Sequence, residues 1–147
     1  MRSPKESILV NEIMSTPVVA AKPSDDIFSI ARKMGRNRVG SVIIMEGGKH
    51  LGIITERDIV RRVITKGSIK KSAHARDIMS KPLMTIGGGE TLEGAANFMV
   101  KRKIKKLGVV DENGKLVGII SESDIIKNAN YLIDVLKELL ATGYTSD

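Results

Sequence analysis

Gly52-Ile53-Ile54-Thr55-Glu56-Arg57-Asp58-Ile59 returns as Gly118-Ile119-Ile120-Ser121-Glu122-Ser123-Asp124-Ile125. Upstream, Glu12-Ile13-Met14-Ser15-Thr16-Pro17 is echoed by Asp77-Ile78-Met79-Ser80-Lys81-Pro82. The first pair is offset by 66 residues (124 − 58) and the second by 65 (82 − 17), so one residue has been inserted between the two blocks. Self-similarity of this kind decides an architecture before any single motif does. In each copy a β-branched apolar run ends on a hydroxyl, and a carboxylate follows three residues later. Two copies imply two related ligand sites on one pseudo-symmetric body.

Working outward, each copy reads β-α-β-β-α. In the first, Pro17–Ala21 is a short strand, and Pro23-Ser24-Asp25-Asp26 supplies capping side chains and acids suited to a helix start. Ile27, Ile30, Ala31 and Met34 fall at helical spacing, and Gly35 is expected to end that helix. Val39–Met45 and Leu51–Thr55 are strands joined by the turn Glu46–Lys49, and Glu56–Lys66 is a second helix ending near Gly67. The second copy gives a strand at Leu83–Ile86, a helix at Thr91–Arg102, and strands at Ile104–Val110 and Lys115–Ser121. Its hairpin turn, Asp111-Glu112-Asn113-Gly114, is where the inserted residue fits, because loop length is cheap to change. Ile8–Met14 reads as a short helical or linking segment, and Gly67–Arg76 joins the copies. A last helix is expected from Ile125 to Leu140, with Ile125, Ala129, Leu132, Ile133, Leu136, Leu139 and Leu140 as its apolar stripe. That stripe either packs on its own module or docks a second subunit or partner.

The 147 residues fit one domain or two small interlocked halves. With 41% hydrophobic residues, no Trp, two Tyr and two Phe, the core must be built from Ile, Val, Leu and Met. No apolar run is long enough to span a bilayer, and the polar Met1–Ser7 carries no signal-like apolar segment, so a cytoplasmic protein is expected. The absence of cysteine excludes disulfides and thiolate metal sites. The net charge of +7 suits an anionic partner or merely a solvated basic surface. The cations recur at matching places: Arg32, Lys33, Arg36 and Arg38 in one copy, Lys101, Arg102, Lys103, Lys105 and Lys106 in the other.

The two Gly-Ile-Ile-(Thr/Ser)-x-x-Asp blocks, each with a preceding Ile-Met-Ser-x-Pro and hairpin, resemble a tandem pair of cystathionine-β-synthase (CBS) domains, a Bateman module. The resemblance spans residues 8–130 and implies an α/β (α+β) fold of two repeats, 8–68 and 69–130, packed with pseudo-two-fold symmetry, followed by a C-terminal extension at 131–147. It also implies a stand-alone, non-catalytic regulatory module, commonly a homodimer, that binds AMP, ADP, ATP or S-adenosylmethionine in clefts between repeats. In the first cleft Thr55, Arg57 and Asp58 would work with Leu83, Met84, Ile104, Lys105 and Lys106. In the second, Ser121, Ser123 and Asp124 would work with Val18, Val19, Val39, Gly40 and Ser41. The carboxylate would hold the ribose diol, backbone at Val39 and Ile104 would read the adenine edge, and Arg57, Arg38, Lys105 and Lys106 would meet phosphate. Because Ser123 stands where the first copy has Arg57, the clefts are expected to differ in affinity.

Independently of any family, Thr55 and Asp58 lie where a strand passes into a helix. A carboxylate there can accept from a ribose diol, and the first-turn amides suit phosphate. The same residues read equally as an N-cap and its first-turn acid, and duplicated helices inherit their caps. Two other functions fit the composition: a nucleic-acid-binding protein using the basic helix ends, and a ligand-free interaction module docking through its last helix. The scarcity of aromatics for base stacking argues against the former. Gly87-Gly88-Gly89 lacks the Gly-Lys-Ser/Thr of a phosphate loop and reads as a connector. His50 and His74 are lone surface histidines, and Ser15 and Ser80 have no histidine partner, so neither a metal site nor a catalytic nucleophile is expected.

Overall fold

In the computed structural model, residues 7–65 and 73–142 are described. Helices α1 (Val10–Ile13), α2 (Ile27–Asn37), α3 (Glu56–Ile59), α4 (Ala75–Ile78), α5 (Leu92–Arg102), α6 (Glu122–Ile126) and α7 (Ala129–Ala141) alternate with six strands. The strands are β1 (Ala20–Ala21), β2 (Ser41–Glu46), β3 (Lys49–Thr55), β4 (Thr85–Gly87), β5 (Lys106–Val110) and β6 (Leu116–Ser121). They form two three-stranded mixed sheets, β1-β2-β3 and β4-β5-β6, each with a parallel pair followed by an antiparallel hairpin.

The two compact units do not follow the sequence repeat. The first unit is Pro17–Met84; the second combines Met1–Thr16 with Thr85–Asp147 in their described parts. The opening segment of each repeat therefore packs in the unit built mainly by the other repeat. In the first unit α4 satisfies the start of α2: the Ala75 amide donates to Asp25 O, the Arg76 amide to Pro23 O, and Ile27 to Ala73 O. In the second unit α1 treats α5 likewise, with Val10 donating to Glu90 O, Asn11 to Gly88 O, and Leu92 to Ile8 O. These bonds serve helix-terminal groups that have no intrahelical partner. The straps also carry core residues. Ala75 and Ile78 join Ile27, Ile30, Met34, Val42, Ile44 and Ile54 in one apolar cluster, and Val10 is fully buried, as are Leu92, Leu107 and Ile120. Each such Val, Leu, Ile or Met side chain contributes roughly 1.5–3 kcal/mol on burial.

Each strap then runs along the hairpin's second strand. Ser80 and Ile53 exchange two backbone hydrogen bonds, 2.9 and 3.0 Å, and Ser15 and Ile119 do the same at 2.7 and 3.1 Å. This crossing explains the glycine that opens each repeated block. A Cβ on Gly52 would lie 2.5 Å from Ser80 O, and one on Gly118 would lie 2.5 Å from Met14 Sδ.

The hairpins locate the inserted residue. The first turns through Gly47 and Gly48, both at positive φ, between the paired Glu46 and Lys49. The second needs Glu112, Asn113 and Gly114 between Asp111 and Lys115, with only Gly114 at positive φ. Asp111 Oδ1 accepts from the Asn113 and Lys115 amides and holds that longer turn.

Three helix expectations need correction. Gly35 does not end α2; the helix continues to Asn37, and Arg38 takes the left-handed C-cap at φ 52°, as Lys103 does for α5 at 56°. The helix after Thr55 changes at Val60 to a π-helical turn, Val60–Ile64; its expected end at Gly67 lies outside the described residues. The last helix is not continuous from Ile125, because α6 stops at Ile126 and α7 begins at Ala129. Asn128 Nδ2 donates to Asp124 O at this break, competing for the carbonyls that a continuing helix would use.

Candidate functional site

Both repeated hydroxyl–carboxylate pairs sit at a strand-to-helix corner and form reciprocal capping boxes. The Asp58 amide donates to Thr55 Oγ1 (3.1 Å), and the Thr55 amide donates to Asp58 Oδ2 (2.9 Å). At the other corner the Asp124 amide donates to Ser121 Oγ (3.2 Å) and the Ser121 amide to Asp124 Oδ2 (2.8 Å). Ser121 Oγ lies 3.0 Å from the same Oδ2 and donates to it. The capping reading of these residues is thus what the geometry shows directly. In both corners the cap uses Oδ2. Asp58 Oδ1 is 3.8 Å from Arg62 Nε, and no hydrogen bond or ion pair engages Asp124 Oδ1 among the described residues. A carboxylate oxygen with open lone pairs, beside amides at a helix start, can still accept from a diol.

The neighbours of each corner come from its own unit. Ser41, which is buried, pairs with Thr55, and the Glu56 amide donates to Gly40 O (3.0 Å). Lys106 pairs with Ser121, and the Glu122 amide donates to Lys105 O (2.8 Å). Beside each corner helix lies an open groove. Met34, Arg38, Val39, Gly40, Glu56 and Ile59 line one of about 550 Å³; Met99, Lys103, Ile104, Lys105, Glu122 and Ile125 line its counterpart of about 440 Å³. The replacement of Gly40 by Lys105 adds a cation to the second. Arg57 and Ser123 are exposed on the first turns of α3 and α6. Val18 and Val19 lead into β1, where Val19 packs on the core and its carbonyl accepts from Ile43. Leu83 is buried and Met84 half-buried, both in the first unit. Ile104, Lys105 and Lys106 belong to the second unit.

Several residues singled out from sequence have local duties. Lys33, counted among the clustered cations, donates from Nζ to Ala20 O (2.7 Å). Gly88 is more than a connector: its amide donates to Val110 O, its carbonyl accepts from Asn11, and a Cβ there would lie 3.2 Å from Asn11 Cβ. His74 precedes α4 and lies 3.9 Å from Asp77 Oδ2. Sequence reasoning missed Arg62. The signal was present, since Arg62 stands four residues after Asp58, the spacing at which helical side chains meet. No helix among the described residues is long and apolar enough to cross a membrane.

The CBS domain model matches twice, at residues 10–65 and 75–131. An uncharacterized protein of Methanopyrus kandleri is 38% identical over 133 residues, covering 90% of this chain and 68% of that protein. A CBS domain protein from Pyrobaculum aerophilum, solved in complex with AMP, superimposes with a TM-score of 0.78 at 25% identity, covering 88% of this chain and 99% of that one. The CBS domain pair of the protein MJ0100, solved with 5′-methylthioadenosine and S-adenosyl-L-methionine, gives 0.76 at 26% identity, covering 85% and 98%.

Proposed function

The chain belongs to the CBS-domain family, with two copies in tandem, and from that premise we propose that it is a regulatory module whose Thr55–Asp58 and Ser121–Asp124 corners hold an adenosyl ligand. The observation that carries the reading is the duplicated corner whose aspartate caps its helix through Oδ2 alone. The remaining oxygen takes the ribose hydroxyls, and nearby cations take phosphate. The ligands of the two solved relatives, AMP in one and methylthioadenosine with S-adenosylmethionine in the other, support an adenosine core.

Thr55, Arg57 and Asp58 serve one ligand, and Ser121, Ser123 and Asp124 serve the other. Because Arg57 in the first copy is replaced by Ser123 in the second, the two sites differ in affinity. The module works in the cytoplasm as a homodimer and signals by differential affinity of a partner for its bound and free forms, without catalysing a reaction.

Calorimetric titration with AMP, ATP and S-adenosylmethionine tests the reading. At least one should bind the parent and none should bind an Asp58→Ala/Asp124→Ala variant. Equal binding by that variant would remove the ribose grip. A steeply salt-dependent gel shift with RNA or DNA, in a protein that ignores all three ligands, would favour the nucleic-acid alternative instead.

A further inference from the structure

The two corners are copies, yet among the described residues an arginine one turn on reaches the aspartate of only the first. Past Asp58 the helix widens into the π-helical turn Val60–Ile64, where Thr65 N donates to Val60 O across five residues. Such turns are uncommon and frequently occur at functional sites. Arg62, on this turn, directs Nη1 to Ile78 O at 2.7 Å and Nε to Asp58 Oδ1 at 3.8 Å. One guanidinium thus spans the corner carboxylate and the last residue of α4, the strap segment that continues through Met79 to Ser80. The matching position after Asp124 is Asn128, a neutral side chain that bonds Asp124 O and, among the described residues, no strap carbonyl.

We propose that Arg62 is a positioning residue: it fixes the Asp58 carboxylate against the Ala75–Ser80 strap and makes the first corner the tighter of the two for ribose. The ribose part of this inference rests on the adenosyl reading above; the strap part does not. An ion pair of this length with a half-exposed arginine is modest, so the effect at the corner is about fivefold in affinity. The coupling runs both ways, because a ligand that engages Asp58 also bears on the strap.

The full chain carries both halves of the test. In an Asp124→Ala background, which leaves only the Asp58 corner, Arg62→Met should weaken AMP and adenosine alike by about fivefold. In an Asp58→Ala background, Arg62→Met should leave AMP binding unchanged. Equal losses at both corners would overturn the positioning role. So would a loss confined to AMP, because Arg62 would then be a phosphate contact. The second half is amide hydrogen exchange without ligand. Arg62→Met should speed exchange at Met79 and leave Met14, its counterpart in the second unit, unchanged. Unaltered exchange at Met79 overturns the strap link whether or not any nucleotide binds. Failure of the parent to bind AMP or adenosine counts against the adenosyl reading and the ribose part, and leaves the exchange result to judge the link itself.

Discussion

The first and second units share their corner, hairpin and strap, and differ where one turn of helix or one contact can change without disturbing the rest. Thr55–Asp58 and Ser121–Asp124 form the same reciprocal cap. One turn on, Arg62 bridges Asp58 and Ile78 O, whereas Asn128 bonds Asp124 O and the helix breaks. The strap crossings differ in degree: a Cβ on Gly52 would lie 2.5 Å from Ser80 O, whereas one on Gly118 would lie 2.5 Å from Met14 Sδ and 3.1 Å from Ser15 O. Duplication therefore preserves what a helix start requires locally, and divergence accumulates in the contacts each copy makes with its strap. Two corners built on one motif thereby come to differ in what holds them in place.

The largest effect that sharpens this contrast is at the glycines. Gly52→Ala should cost about 3 kcal/mol, because Ser80 O belongs to backbone held by two hydrogen bonds, and Gly118→Ala about 2 kcal/mol, because Met14 can turn aside while Ser15 O stays 3.1 Å away. Urea unfolding of both variants measures the pair; equal costs would mean that the straps are equally rigid. Next come the caps. Thr55→Ala and Ser121→Ala should each lower stability by about 1 kcal/mol, with Ser121→Ala the larger because its hydroxyl also donates to Asp124 Oδ2. Opposite in sign, Arg38→Gly and Lys103→Gly should each raise the melting temperature, gaining about 0.5–1 kcal/mol, since both residues hold a left-handed conformation that glycine adopts without strain.

The repeat, the hairpins and the caps were legible because each is written within a few consecutive residues. The exchange of straps was not. Met14-Ser15 and Met79-Ser80 recur in step with the hairpins that follow them, yet their partners are Ile119 and Ile53 of the other copy. Spacing along the chain carries no record of which hairpin a strap crosses. The glycine at the head of each block did carry a trace, since a strand glycine often marks close approach of another backbone. Gly35 misled because a glycine can be tolerated inside a helix whose C-cap falls to arginine. Arg62 escaped notice because its second partner, Ile78 O, is sixteen residues away.

The smallest predicted effect belongs to the second unit alone. Partial burial, with Glu93 acting in the same direction, raises the Tyr131 phenol above its ordinary value of 10.0. The native state then holds that proton more tightly than the unfolded chain does. This stabilisation is complete below the ordinary value and is lost as pH rises through the raised one. Urea midpoints at about pH 8 and about pH 11 should fall further apart in the parent than in Tyr131→Phe. An identical fall in both would separate Tyr131 from the alkaline response.

As ligand sites, the corners require Asp58 and Asp124 to grip a sugar as well as cap their helices. A crystal structure of the protein soaked with AMP addresses that directly. It should show ribose hydroxyls within about 3 Å of a carboxylate oxygen of Asp58, and more weakly of Asp124. Nucleotide bound away from both aspartates, or neither corner filled at saturating AMP, ATP and S-adenosylmethionine, would contradict it.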